Sequence, residues 1–383
     1  MRALLFGVLL LSISNITLAQ TYPLFGTEIP ITINGLTFDA MEPAISSNGN
    51  ILFFNSLNDG ITTSLHYAVK VNDSTFTYMG ALTGANQTTS PRLDAVASMD
   101  SANNFYWVSL RDFPTQFDNF HHGIFNGNNV TTISRVRGDF YIYSSGWLIM
   151  DAAINYTGNM LYYCNAYFNP TYNGCGGLPC KARLGAALQI NDTTFNKLTN
   201  TDAIFYNVND TNYAVYAPHI SKNELELYYT RFFKSNPTQT EICVAVRASV
   251  TDTFSFPSII YASNLAPEGP TLTADNAKLY YHKKNAGLYK IVMRYNNTGT
   301  TAINKITKKE RNFIVPNPSD AWVHINIPIV NNDYIIEIYS TLGQQLFNTS
   351  TTANIDITNF ISGIYLLHIK QNNNVWTSKL IKY

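Results

Sequence analysis

Charge is scarce in this sequence. Asp, Glu, Lys and Arg together make up 13% of 383 residues, about half the usual share of roughly 25%. The 25 basic and 25 acidic residues cancel, and no basic stripe exists to neutralise phosphates, which argues against nucleic acid as a partner. The one close basic group, Lys305, Lys308, Lys309 and Arg311, reads as a solvated hinge. Long apolar runs are also lacking. Beyond the N-terminus no stretch reaches about 18 apolar residues, so no transmembrane segment is expected in the mature chain. Cysteine is limited to 4 residues, only one close pair exists, and it has no His neighbours, so no metal site is expected. A Gly-x-Ser-x-Gly elbow, a phosphate loop and His-Glu-x-x-His are all absent, which removes the commonest signatures of hydrolases, nucleotide enzymes and metalloproteases.

Apolar and aromatic residues fill the space that charge leaves. Hydrophobic residues are 45% of the chain, with 25 Tyr and 22 Phe, and such rings favour half-buried pleated surfaces. An all-β fold is expected, long enough for two domains. The N-terminus reads as an export signal. Arg2 precedes the apolar run Ala3 to Ile13, and Thr17-Leu18-Ala19 supplies small residues before a cut after Ala19. Cys175 and Cys180 bracket a Gly-Gly-Leu-Pro loop, and a local disulfide fits an extracytoplasmic compartment. Cys164 and Cys243 lie in strand-like runs and either pair or stay buried as thiols. His121-His122 reads as loop.

A motif recurs five times between the signal and residue 295. Its apolar anchors are Ile45, Met99, Ile154, Ile220 and Leu272, and an aromatic pair follows each by seven or eight residues. A polar turn lies between, from Ser46-Ser47-Asn48-Gly49 in the first copy to Thr273-Ala274-Asp275-Asn276 in the fifth. The fourth copy, Ser221-Lys222-Asn223-Glu224, has lost the glycine. The spacings are 54, 55, 66 and 52 residues, a period that fits four-stranded propeller blades. The long interval holds the Cys175–Cys180 loop, read as a blade insertion. The strand-like Glu28 to Thr37 is expected to complete the last blade and close the ring.

Pro43-x-Ile45-Ser46-x-x-Gly49-x-x-Leu52-Phe53-Phe54 resembles the WD40-like repeat of TolB proteins. That resemblance implies a five-bladed propeller over about residues 20–295, joined by a linker (296–309) to a second module. From 310 onward alternating strands with Gly-marked turns read as a small antiparallel β-sandwich. Pro316-Asn317-Pro318, the turn at Gly343, Gly363-x-Tyr365 and the tail Lys379 to Lys382 resemble the type A C-terminal sorting domain of the type IX secretion system. This resemblance implies recognition by that machinery and delivery to the cell surface or medium.

Chemistry, if any, rests on acids. Asp39, Glu42, Asp94, Asp151 and Glu268 lie before or within the first strand of a repeat, where propeller strands line the central channel. Arg111, Arg231 and His282 follow the second strands and are candidate ligand contacts. Two converging carboxylates are what glycoside hydrolysis needs. Turn capping, or a structural cation in the channel, are the other roles such acids fill. The repeat preserves its aromatics more regularly than its acids, and that favours a binding protein over an enzyme. The sequence does not name the ligand, and an extracellular glycan and a protein both stay open. A glycosidase-like enzyme and a protein-interaction scaffold are the alternatives.

Overall fold

The structure, a computed structural model, describes residues 21–169, 174–298, 314–325, 335–341, 344–350, 354–371 and 374–383. The expected signal peptide, the basic group at 305–311 and Gly343 lie outside them. The chain divides into two compact units, Met1–Thr301 and Ala302–Tyr383.

Among the described residues the first unit holds five sheets, one per repeat, each built on four antiparallel strands from inner to outer, with a short parallel strand added at an edge of the first three. The inner strands are Met41–Ile45, Arg92–Met99, Trp147–Ile154, Tyr213–Ile220 and Glu268–Leu272. Each is followed by its aromatic strand: Ile51–Asn55, Asn104–Ser109, Met160–Tyr167, Glu226–Phe233 and Lys278–Asn285. The aromatic pair faces two ways, because successive strand residues point to opposite sides. Phe53 packs toward the second blade with Phe105 and Trp107, whereas Phe54 packs back toward the fifth with Tyr280 and Met293. The same division holds for Tyr162 and Tyr163 and for Tyr228 and Tyr229. Burying each ring stabilises by roughly 1.5–3 kcal/mol, so the repeated pair is the cement between blades.

The polar turn of the motif is held by its own side chains. Ser46 Oγ accepts the Ile51 N–H at 2.9 Å, and Asn48 Oδ1 accepts the Asn50 N–H at 3.0 Å. Ser221 with Asn223 and Thr273 with Asp275 repeat the arrangement. The fourth turn position is left-handed in all five copies: Gly49, Asn103, Gly158, Glu224 and Asn276. Glycine enters that region without steric cost and other residues do not. Glu224, at φ 60°, is tied down by contacts that glycine could not make. Its carboxylate accepts from Asn155 Nδ2 and the Tyr162 hydroxyl, both at 2.8 Å, in the neighbouring blade.

Ring closure differs in detail from the expectation. Ile29–Pro30 pairs with Met293 and Val292 and completes the last blade. Thr32–Asn34 instead runs parallel to Thr75–Thr77 on the outer edge of the first blade. One short N-terminal segment thus seals both sides of the seam. Residues 296–298 remain attached to the propeller, since Asn297 N–H donates to Leu24 O at 2.6 Å. The excess in the third interval is divided between the disulfide loop and a connection carrying the single-turn helix Thr201–Ile204.

Three further readings are settled by the structure. Cys175 and Cys180 form a disulfide, while Cys164 and Cys243 are buried free thiols. His121 and His122 are not loop residues. They sit buried in the strand Phe120–Phe125, packed on Trp107 and Tyr106.

The second unit is a small two-sheet sandwich. One sheet is Ile314–Val315, Trp322–Ile325 and Asn354–Asp356, and the other is Gln345–Thr349, Ile335–Ser340, Gly363–Gln371 and Asn374–Lys382. Ile325, Ile336, Ile338, Leu367 and Leu380 are among its core. The Pro-Asn-Pro segment has a mechanical reading here. Asn317 Nδ2 donates to Lys379 O at 2.6 Å and its Oδ1 accepts the Ile381 N–H at 2.9 Å, clamping the terminal strand. Gly363 pairs with Lys382 at the other edge of that ladder, and the Tyr365 hydroxyl donates to Ile361 O.

Candidate functional site

Each inner strand is irregular at the neck of the ring. In four blades two residues oppose one: Glu42-Pro43, Val96-Ala97, Ala217-Pro218 and Gly269-Pro270 are skipped in the pairing with the next strand. The third blade skips Met150 alone. Such bulges re-aim side chains. Glu42, Val96, Ala217 and Gly269 all take positive φ there. Gly269 has a second reason to lack a side chain, because a Cβ would approach Glu42 Cα at 3.0 Å. Fifth and first blades meet at this point.

The bulges bring three acids together. Glu42 and Asp151 occupy the same repeat position, three residues before the anchors Ile45 and Ile154, and Glu268 lies one position earlier in its own copy. All three line one funnel of about 590 Å³. Its walls are largely apolar, with Leu93, Leu148, Met150 and Phe232 from three inner or second strands, Phe168 just past the strand Met160–Tyr167, and Leu178-Pro179 from the disulfide loop. Below the acids a narrow channel of about 60 Å³ continues between the inner strands.

Burial dominates the electrostatics of this neck, as an ionised carboxyl loses its water there. It raises Glu42 well above the ordinary value, with the charges of Asp151 and Glu268 adding to the rise. Asp151 is pushed up to about 7 by burial and by Glu268, against a hydrogen bond from the Ala217 N–H. Glu268 also stands at about 7, raised by burial and eased by the Tyr216 hydroxyl, which donates to its Oε1 at 2.9 Å. Asn58 Nδ2 donates to Glu42 Oε1 at 3.1 Å. Glu42 Oε2 and Asp151 Oδ2 have no hydrogen-bond partner among the described residues.

His282 lies beneath this floor. It is fully buried, which holds its pKa down to about 3, so the ring is neutral. Nδ1 accepts the Glu42 N–H at 2.9 Å. The ring proton therefore sits on Nε2, 3.8 Å from Glu268 Oε2 and otherwise unpartnered among the described residues.

The remaining candidates are not at the funnel. Asp39 accepts the Tyr289 N–H at 2.8 Å and fastens the first blade to the fifth. Asp94 is buried and paired with Arg111 at 3.0 Å, also accepting the Gln87 N–H. Arg231 pairs with Glu241 at 2.7 Å on the adjacent strand and covers the Tyr213 ring. Each already has a partner within the propeller, and none of them lines the funnel. No group of three or more His, Cys, Asp or Glu among the described residues is arranged to hold a metal ion. Sequence reasoning missed Tyr216 and Asn58. Tyr216 had a signal, since it occupies in the fourth copy the position of Glu268 in the fifth.

Comparison with known proteins bears first on the second unit. Residues 314–383 match the secretion system C-terminal sorting domain. No curated protein matches the sequence. Among solved structures the chain is similar to a family 117 glycoside hydrolase of the marine bacterium Zobellia galactanivorans, at 11% identity over 72% of this chain and 90% of that one, TM-score 0.43. It is also similar to an endo-arabinase from Bacteroides thetaiotaomicron, at 14% identity over 70% and 96%, TM-score 0.41. TolB from Acinetobacter baumannii matches at 9% identity over 68% and 54%, TM-score 0.35. No activity and no residue transfers at that distance. None of the described helices is long and apolar enough to cross a membrane. The chain is an all-β protein that carries a secretion system C-terminal sorting domain and is exported by the type IX route to the cell surface or medium.

Proposed function

We propose that this protein is an extracellular binding protein whose propeller funnel receives a small molecule with an apolar body and a polar head. One observation carries the reading: aliphatic and aromatic walls stand above a floor of carboxyl groups that still have unpartnered oxygens. Ligand sites are typically concave, mostly apolar and furnished with a few convergent polar groups. The test is a thermal-shift and calorimetric screen of small amphipathic molecules against the full chain, with Leu148→Trp as a variant that fills the funnel. Hits that bind the native protein and lose affinity in the variant support the reading. Hits indifferent to the variant sink it.

Hydrolysis of a glycosidic bond is the second reading, favoured by the convergence of three carboxyl groups on one neck. Against it, the walls offer few hydrogen-bonding groups for sugar hydroxyls. Release of reducing sugar from a polysaccharide panel, abolished in Glu42→Gln or Asp151→Asn, would establish it over binding alone.

A further inference from the structure

We propose that the head group received at the funnel floor is an organic ammonium, a primary or secondary amine carried on an apolar body. The inference rests on the binding reading above and narrows it to a ligand class. Four acids line the funnel, Glu42, Asp59, Asp151 and Glu268, and no Lys or Arg does. Such a one-signed cleft with low-dielectric walls focuses a field that favours cations. Asp151 is 2% exposed and yet leaves Oδ2 without a partner, and Glu42 Oε2 is in the same state. Buried polar atoms are ordinarily satisfied. A group with two or three N–H donors offers one to each of these oxygens, and its charge compensates the acids as they ionise.

A bare metal ion fits less well, because the acids are not arranged to hold one. A neutral hydroxyl brings a single donor and gives no compensation to the charge these acids take on as they ionise. An anion would meet four carboxyl groups and no cation.

The ionisable groups facing the head come from four blades. They are Glu42 and Asp59 from the first, Asp151 from the third with Cys164 behind it, Tyr216 from the fourth, and Glu268, His282 and Tyr289 from the fifth. The second blade contributes none, since Asp94 is committed to Arg111. Asp59 is held ionised, at about 2, by the Thr62 N–H and hydroxyl. The three deeper acids hold protons near neutral pH when the funnel is empty, because burial raises all of them. An ammonium favours their ionised forms, so its binding releases protons and strengthens as pH rises from 5 to 8.

The experiment titrates the full chain with 4-phenylbutylamine and with 4-phenylbutanol, at pH 5 and pH 8, in two buffers of different ionisation enthalpy. The expected result is an amine bound about tenfold or more tighter than the alcohol at pH 8, a gap that narrows at pH 5, and proton release on amine binding. Asp151→Asn, with Glu42→Gln as the second variant, should weaken amine binding more than alcohol binding and so close the gap between the two probes at pH 8. Equal affinity for amine and alcohol at pH 8 overturns the ammonium assignment and leaves the binding reading standing. Failure of the folded protein to bind either probe overturns both.

Discussion

Tyr216 and Glu268 occupy the same repeat position in neighbouring blades, four residues before Ile220 and Leu272, and the hydroxyl of one donates to the carboxylate of the other at 2.9 Å. Two copies of one motif have thus diverged into a donor and an acceptor that meet across the blade boundary. This bond is the one contact that eases the ionisation of Glu268 against burial.

Tyr216→Phe therefore raises the pKa of Glu268 further, as the ionised form loses its donor. The loss of one hydrogen bond to a charged group is expected to reduce stability by about 1–3 kcal/mol. Carboxyl-carbon NMR titration of the variant reads the shift directly. An unchanged Glu268 titration would show that the hydroxyl does not stabilise the carboxylate.

Asp151 makes stability depend on pH in an unusual direction. Its value is 3.8 in an ordinary setting and about 7 in the fold. The folded state therefore binds the proton more tightly, and the stability this gives is present below pH 4 and lost as pH rises through 7. Asp151→Asn removes the buried charge while its side-chain oxygen still accepts from the Ala217 N–H. The variant should match the native protein at pH 4 and exceed it by a few kcal/mol at pH 8. Urea unfolding at the two pH values decides the matter, and a variant weaker at pH 8 contradicts it.

Glu224 should be costly to shorten although it lies in a turn. Glu224→Ala keeps the strained φ of 60° and removes both acceptors used by Asn155 and Tyr162. A loss of about 2 kcal/mol is expected. Glu224→Gly relieves the strain and should lose less than Glu224→Ala. Thermal unfolding of the pair reads the difference, and equal losses would mean that strain plays no part.

Removal of residues 314–383 should keep the protein from reaching the surface while the propeller stays folded. Every sheet of the propeller is complete without that segment, and the sandwich has a core of its own. Cell fractionation and circular dichroism of the truncated chain check the two halves of this expectation. Normal surface delivery of the truncated chain would contradict the first.

The order of blades, the closing of the last one by Ile29–Pro30 and the sorting domain were legible in the residues, because each rests on local pattern, whereas the pairing of Thr32–Asn34 with the first blade was not. An aromatic pair at a fixed distance from an apolar anchor dictates one strand facing two neighbours. A Ser-x-Asn or Thr-x-Asp turn supplies its own acceptors wherever it occurs. The site was only half legible. Asp39, Glu42, Asp94, Asp151 and Glu268 look alike along the chain, but what separates them is the partner each meets. Asp94 faces Arg111 and Asp39 faces a backbone N–H, so both are satisfied by neighbours. Glu42, Asp151 and Glu268 sit beside bulges that turn them to the neck of the ring, where burial outweighs the donors they meet in Asn58, Ala217 and Tyr216. His121 and His122 were misplaced for the same reason, since their burial depends on Trp107 and Tyr106 across the sheet. Local spacing determined which residues form the blades. Only closure of the ring, which brings residues more than 200 positions apart into contact at Glu42 and His282, decided which acids share one dehydrated space.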